Sequence, residues 1–435
     1  MPMSATLTPS TRRKRKHAGR SRLGKFLKTL GPGLVTGASD DDPSGIVTYA
    51  QAGAMFGLTT LWTALVTFPL MAAIQGMAAR IGMVTTQGLT GTLKTHYPKW
   101  VLYSMILFSF PAVVLNIGAD IQSMGAVANM LVPGIPTFSF CIVFTAILLW
   151  VIIQYSYRRM AGLLKWLCLG LLLYLIIPFL VHPDWGEVAR DTFVPVVRLN
   201  KDFLGILVAI LGTTISPYLF FWQATMEAED REHSKRKRIF VDKRMLGDMR
   251  KDVNTGMLFS NLVTFFIILT AGVVLRRGGI RQIDTVEQAA RSLRPLAGNL
   301  SYSLFAIGVI GTGFLAIPVL AGCVSYMLAE TFNFSKGLDK KFYEARRFYG
   351  VVIVSLVAGL CLQFLGISPV QALLYTAILY GLTAPVMIAL ILHIGNNKKI
   401  MGKHTNSVFS NTLGVLTFVL MTAAAVGLIW FQFFA

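Results

Sequence analysis

About eleven stretches of this chain stay predominantly apolar for roughly 18–25 residues at a time, long enough to cross a hydrocarbon layer about 30 Å thick as helices. They run over roughly 31–54, 58–80, 100–131, 135–156, 160–181, 202–226, 254–275, 300–331, 348–366, 370–393 and 409–433. Inside a bilayer no water is available to satisfy N–H and C=O groups, so runs of this length must close their hydrogen bonds within a helix. Composition points the same way: 54% of residues are hydrophobic and 14% charged, where a soluble domain carries about 25% charged. The expectation is an all-α integral membrane protein, with a basic cytoplasmic tail over 1–28 and one transmembrane domain over 29–435. The basic N-terminus leads into the first long run and not into a short apolar core with a small-residue cleavage site, so no cleavable signal peptide is expected.

The formal net charge of +20 sits mostly in the intervening loops. Arg12 to Lys16 is an unbroken basic run, followed by Arg20, Arg22, Lys25 and Lys28. Lys235 to Arg238, Arg158 with Arg159, Lys340/Lys341 with Arg346/Arg347, and Lys398/Lys399 with Lys403 form the other clusters. With an internal N-terminus and eleven spans, all of these fall on the cytoplasmic side and the C-terminus lies outside, as the positive-inside rule demands. The loop 276–298, with Arg276, Arg277, Arg281, Arg291 and Arg294, dissents, and five clusters outweigh it. The basic runs read as topology signals and anionic-lipid contacts. No soluble module with interleaved aromatic residues accompanies them, so no nucleic-acid partner is expected.

The first and sixth apolar runs are interrupted. Asp40, Asp41, Asp42, Pro43, Ser44 and Gly45 break the first. Carboxylates at bilayer depth are costly and mark functional sites, while a proline without an N–H and a permissive glycine end a helix. The chain is predicted to unwind over 41–45. In the sixth run Pro217 follows Gly212, Thr213, Thr214, Ile215 and Ser216, which predicts a second unwound turn over 213–217. The breaks lie five spans apart. That spacing fits two five-helix repeats, roughly 31–181 and 202–393, with a final helix over 409–433. Interrupted helices at matching positions of two halves point to a midplane binding site in a membrane carrier. An acid on an unwound turn offers a carboxylate and free carbonyls, a donor set suited to a hard cation.

Cys141, Cys168, Cys323 and Cys361 all lie in apolar runs, without a CxxC pair, and read as small packing residues. Neither a disulfide framework nor a thiolate metal site is expected. With no nucleophile–base set, nucleotide loop or metal-hydrolase motif, the chain does not read as an enzyme.

Four segments carry a family resemblance. GPGLVTGASDDDPSG and FGLTTLWTALVTFPLMAAIQGMAARIGMVT resemble the first two helices of the NRAMP divalent-metal transporters. GTTISPYLFFWQA resembles their sixth helix, and TVEQAARSLRPLAGNLSYSLFAIGVIGTGFLAIPVLAG their seventh loop and eighth helix. The resemblance covers about 28–395. It implies a LeuT-like inverted-repeat fold of about eleven helices with helices 1 and 6 discontinuous, alternating access, and a metal bound between those two helices.

Departures from the family pattern carry as much information. NRAMP members have Asp-Pro-Gly-Asn in helix 1, where this chain has Asp42-Pro43-Ser44-Gly45, with glycine in place of the ligand asparagine. They have Met-Pro-His in helix 6, where Ser216-Pro217-Tyr218 substitutes a hydroxyl for the thioether and a phenol for the imidazole. A second helix-6 histidine aligns with Gln223. Asp120 keeps a helix-3 acid, while the acid three residues on is Ser123. The helix-10 glutamine has no sure counterpart; Thr376, Ala377 and Thr383 lie near it. These changes resemble the NRAMP-related magnesium transporter branch.

Read as chemistry, the loss of a soft thioether removes a preference for softer ions, and oxygen donors suit Mg2+ and Mn2+. The expected metal site is the Asp42 carboxylate, the Thr213 carbonyl and Ser216, with water in the room left by Gly45. Helix capping is the competing role for Asp42. Asp41, Tyr218, Gln223, Asp120, Thr376 and Thr383 are placed at the site or along its pathway, and Asp120 is either a proton acceptor or a buried hydrogen-bonded acid. The expected activity is secondary transport of Mg2+ and Mn2+ without tight proton coupling. Both histidines are gone, and a phenol titrates near pH ~10, far from a useful relay. A proton-coupled carrier of wider transition-metal range and an organic-substrate carrier of the same fold remain as alternatives. Beyond the transported ion no cofactor is expected. The expected setting is a monomer among the lipids of a bacterial plasma membrane.

Overall fold

The computed structural model describes residues 32–156, 159, 173–233 and 241–434. The basic tail 1–28, Arg158, Cys168 with the first part of the run 160–181, and Lys235 to Arg238 lie outside the described residues. Among the described residues all regular structure is helical. Nine segments among the described residues are long and apolar enough to cross a membrane, and the one over Lys201–Glu232 runs across the second break.

The first apolar run is divided between α1 (Pro32–Asp40) and α2 (Pro43–Phe56). Then come α3 (Trp62–Thr85), the short α4 (Leu89–His96), α5 (Lys99–Leu131) and α6 (Thr137–Gln154). The described part of the fifth run is α7 (Leu173–Val181), followed by a surface helix α8 (Trp185–Phe193). The second half opens with α9 (Lys201–Thr214) and α10 (Pro217–His233). It continues through α11 (Lys243–Arg277), α12 (Ser301–Phe332), α13 (Arg346–Cys361) and α14 (Pro369–Asn396), and α15 (Val408–Phe433) closes the chain.

Both breaks are where the sequence puts them, but they are narrower than 41–45 and 213–217. Only Asp41 and Asp42, and Ile215 and Ser216, separate the half-helices. Proline is the reason. At the first helical position its missing N–H would be unpaired anyway and its fixed φ already suits a helix, so Pro43 and Pro217 start the second half-helices. The stretch 228–252 also differs from a plain hydrophilic loop. α10 continues through it to His233, and α11 begins at Lys243, where Asp242 caps the helix by accepting from Met245 N at 2.8 Å.

Helix contacts repeat with a shift of five spans. α10 packs on α3 as α11 packs on α1 and α2; α5 packs on α6 as α12 packs on α13; α5 meets α13 as α12 meets α6. Small residues set the closeness of these crossings, as in membrane helix pairs generally. A Cβ at Gly37 would overlap the carbonyl of Gly256, and one at Gly82 would overlap the carbonyl of Ala224. These two crossings fix the half-helices α1 and α10 against their supports and so hold the breaks opposite each other. Large apolar side chains such as Leu107, Phe108, Trp150, Val354 and Val419 point outward, as lipid-facing positions should.

Replacing Gly37 by alanine is expected to destabilise the protein by about 1–3 kcal/mol, because backbone on both sides cannot give way. Gly350→Ala, where a Cβ meets nothing within 4 Å, should be neutral or slightly stabilising. Thermal unfolding of the two variants side by side in detergent checks this.

Candidate functional site

Asp42 is the residue on which the first break turns. It is the N-cap of α2, with φ −70° and ψ 171°, and its Oδ1 accepts from Gly45 N at 2.7 Å. Capping is therefore one role of Asp42, and it uses one carboxylate oxygen. The other, Oδ2, accepts from Asn116 Nδ2 at 2.9 Å. The same amide nitrogen reaches Asp120 Oδ2 at 3.4 Å. Asn116 and Asp120 stand one turn apart on α5, on one face of the helix, so a single amide links two acids from two helices.

The remaining acids meet α11. Ser260 Oγ lies 2.5 Å from Asp40 Oδ2 and 3.3 Å from Asp41 Oδ1, donating principally to the nearer. Asp40, Asp41, Asp42 and Asp120 are all buried. Asp40 Oδ1, Asp41 Oδ2 and Asp120 Oδ1 have no hydrogen-bond partner. Among the described residues no Lys or Arg pairs with any of the four.

Gly45 faces the second break. A Cβ there would lie 3.3 Å from the Tyr49 ring and 3.4 Å from both Thr213 Oγ1 and the Asp40 carbonyl oxygen, so glycine lets the two breaks approach each other closely. Ser216 Oγ donates to the Thr213 carbonyl at 2.6 Å and lies 3.1 Å from that of Gly212. One lone pair of the Thr213 carbonyl is thus engaged and one is free, and the serine oxygen keeps its own lone pairs. Tyr218 Oη donates to the Ser39 carbonyl at 3.0 Å, and Tyr49 and Thr214 hydroxyls lie 3.1 Å apart. Asp41, Asp42, Gly45, Thr213, Ser216, Tyr218 and Asp120 therefore surround the two facing breaks.

Other expected residues sit further out. Gln223 accepts from Thr36 Oγ1 at 2.6 Å and donates to Glu227 Oε1 at 3.0 Å, forming a polar line from α1 to α10 below the break. Thr376 Oγ1 donates to the Leu373 carbonyl at 2.8 Å, which Ser44 Oγ also approaches at 3.4 Å. Thr376 lies at the edge of the centre and lines an apolar cavity of about 350 Å³ with Ala119 and Gln122. Thr383 Oγ1 donates to the Leu379 carbonyl of its own helix at 2.9 Å. Neither threonine hydroxyl bonds to an acid.

Sequence reasoning missed Asn116, Ser260, Tyr380 and Cys323. Asn116 had a signal, an amide in the apolar run VVLNIGAD four residues before an acid. Ser260 had none, since serine is common in membrane helices. The Tyr380 ring lies 5.6 Å from that of Tyr218, with its hydroxyl buried and unpartnered. The Cys323 thiol does more than pack: it donates to the Tyr218 carbonyl at 3.4 Å, in the first turn after the second break.

Paired half-helices in two inverted halves, meeting at a buried acidic centre, define the LeuT-like class of membrane transporters. Solved structures agree on the fold. The manganese transporter of Eremococcus coleocola aligns with a TM-score of 0.73 over 95% of this chain and 88% of that one, at 16% identity. Mhp1, a nucleobase-cation-symport-1 family transporter, aligns with a TM-score of 0.51 over 93% of each chain, at 13% identity. Within that class the chain belongs to the Nramp family, whose profile, described as natural resistance-associated macrophage protein-like, matches residues 33–431. The divalent metal cation transporter MntH of Caldanaerobacter subterraneus is 25% identical over 414 residues, which are 94% of this chain and 93% of the relative. The protein is thus a multi-pass membrane protein of a transporter family and not an enzyme.

Asn116→Leu would leave Asp42 Oδ2 and Asp120 Oδ2 without their shared donor. The variant is expected to lose about 1–3 kcal/mol of stability, read as a lowered midpoint of thermal unfolding in detergent. An unchanged midpoint would mean that the amide does not link the two acids.

Proposed function

We propose that this protein is a secondary transporter of divalent metal cations that works by alternating access, with Mg2+ and Mn2+ as its ions and without tight proton coupling. The observation that carries the proposal is the set of four buried carboxylates at the facing breaks with no Lys or Arg partner among the described residues. Leaving such charge uncompensated is costly, and a divalent cation supplies what is missing. The relative and the structural neighbour, named for divalent metal cations and for manganese, support the substrate class.

The donor chemistry supports hard ions. Among the described residues no three His, Cys, Asp or Glu side chains gather in metal-ligand geometry. The ion is held instead by the Asp42 carboxylate, the Thr213 carbonyl, Ser216 and water. Mg2+ gives up its waters reluctantly and is commonly bound through one or two carboxylates, and glycine at position 45 adds no side-chain donor to replace those waters. Asp41 and Asp120 add negative field, Tyr218 and Gln223 line the inner pathway, and Thr376 and Thr383 border the centre from α14. The N-terminus lies in the cytoplasm and the C-terminus outside, in the plasma membrane of a bacterium. A second reading, a wider transition-metal range, is favoured by the Cys323 thiol beside the Tyr218 carbonyl.

Uptake into proteoliposomes tests these statements. Asp42→Ala should lower Mn2+ uptake by about 100-fold or more while the protein stays folded, since one carboxylate removed from a buried charge pair is worth several kcal/mol. Wild-type uptake by that variant would mean that another acid holds the ion.

Selectivity is the sharper test. Mg2+ at millimolar concentration should compete with Mn2+ in the wild type, and Cd2+ should be carried no better than Mn2+. Ser216→Met with Gly45→Asn should shift preference toward Cd2+. Failure of Mg2+ to compete refutes the hard-ion assignment, and loss of Cd2+ uptake in Cys323→Ser would favour the wider range. The lumenal pH should stay level during Mn2+ uptake; acidification in step with the metal would make Asp120 a working proton acceptor.

A further inference from the structure

On the face of the membrane where α3 ends and α11 and α15 begin, a groove of about 530 Å³ opens between these three helices. Three cations converge on it, Arg80 from α3 with Lys243 and Arg250 from α11, and none of its lining residues is acidic. Arg80 donates a terminal guanidinium N–H to Asn406 Oδ1 at 2.6 Å, which fixes the group at the groove, while its Nε is buried without a partner. Among the described residues no carboxylate pairs with Arg80, Lys243 or Arg250. The remaining residues of the chain contain no Asp or Glu. α15 also starts here, at its N-cap Ser407, and adds the positive end of a helix dipole. His404, in the loop just before it, is held below the usual imidazole range by burial and then by Lys403, Arg80 and Arg231. The lining therefore carries three positive charges and no negative one, with Asp242 at the N-cap of α11 and Asp248 and Asp252 within that helix outside it.

Away from the cations the groove turns apolar, with Phe68, Phe409 and Leu413 along it. Phe68 precedes Arg80 by twelve residues on α3, which puts it roughly 18 Å deeper. That is about the depth of one leaflet, half of a ~30 Å hydrocarbon layer. Two glycines border the groove from facing helices, Gly76 on α3 and Gly247 on α11, and a Cβ at either would meet nothing within 4 Å. Unlike Gly37 and Gly82, they serve no helix crossing; they border open space.

We propose that this groove binds one anionic phospholipid, with the phosphate among Arg80, Lys243 and Arg250 and an acyl chain running toward Phe68. Three unpaired cations call for an occupant with net negative charge, and a zwitterionic headgroup would bring a cation of its own. The chain's own basic segments, 1–31 and 234–240, carry no acid and have the wrong sign to fill the site. Basic pockets between membrane helices on the cytoplasmic side are suited to anionic headgroups, with about 1 kcal/mol per Lys or Arg.

Native mass spectrometry of the full chain in detergent tests the proposal, with phosphatidylglycerol, phosphatidylethanolamine of the same acyl chains, and inorganic phosphate as probes. Phosphatidylglycerol should bind one to one and at least about ten-fold more tightly than phosphatidylethanolamine, and inorganic phosphate should not displace it. Lys243→Gln with Arg250→Gln should weaken phosphatidylglycerol binding about thirty-fold, the effect of two lost cations. Gly76→Leu with Gly247→Leu fills the groove without touching a cation and should abolish the one-to-one complex. Thermal unfolding without lipid verifies that both variants fold, and if the filled one does not, the charge variant decides. Equal binding of the two lipids, displacement by phosphate, or wild-type binding by a folded variant overturns the proposal.

Discussion

Four carboxylates held in a low-dielectric centre must be solvated by the protein itself, and the architecture around them follows from that demand. In an unbroken helix the N–H of Gly45 would bond to the carbonyl four residues back. Because α2 starts at Pro43, that N–H is one of the orphan donors of a helix start, and it goes to the Asp42 carboxylate instead. The same break frees carbonyls at Asp40 and Asp41. Asn116 and Ser260 reach in from α5 and α11 to supply the other donors. They can do so only because close crossings such as Gly37 against Gly256 bring the helices near enough.

The two halves of the first span are held by different forces. α2 is embedded in an apolar cluster, with Ile46, Val47 and Ala50 against residues such as Ile206, Ile210 and Ile267. α1 depends on directional bonds: Gly33 N to Asp252 Oδ2 at 2.7 Å, Thr36 to Gln223, the Ser39 carbonyl from Tyr218, and Asp40 from Ser260. In a bilayer both kinds of contact hold helices together, close packing of apolar side chains and interhelical hydrogen bonds worth about 0.6–2 kcal/mol each. α1 is therefore tied to its neighbours through polar bonds and the close Gly37–Gly256 crossing, and α2 through apolar packing.

How much of this was legible in the sequence depended on the length scale of the signal. Spans of twenty apolar residues, two of them interrupted by a proline among small and polar residues, are strong patterns, and they carry the fold and the positions of both breaks. The width of the breaks was misjudged because proline was read as a disruptor, when at Pro43 and Pro217 it starts a helix. The capping box of Thr285 and Gln288, which closes the short helix Val286–Ala290 in the loop after α11, was written in the sequence as TVEQ. Ser260, Tyr380 and Cys323 were not legible, since nothing local separates a serine, tyrosine or cysteine beside the helix breaks from one facing a neighbouring helix. Their roles arise only from long-range packing, as with the contact of Ser260 to Asp40, 220 residues away in sequence.

α11 has a further physical meaning. At 35 residues it is roughly 52 Å long, far more than a hydrocarbon layer of about 30 Å can cover. Its first turns, KRMLGDMRKD, are too polar for tilt to hide them, so the helix projects into the headgroup layer. At its other end Arg276 bonds to the Met55 carbonyl at the end of α2, and in between Ser260 holds the acids. One rigid rod thus joins the phosphate plane of one leaflet, the midplane centre and the opposite surface. A bilayer of another thickness meets the helix at another height, so hydrophobic mismatch would be felt by the element that carries Ser260.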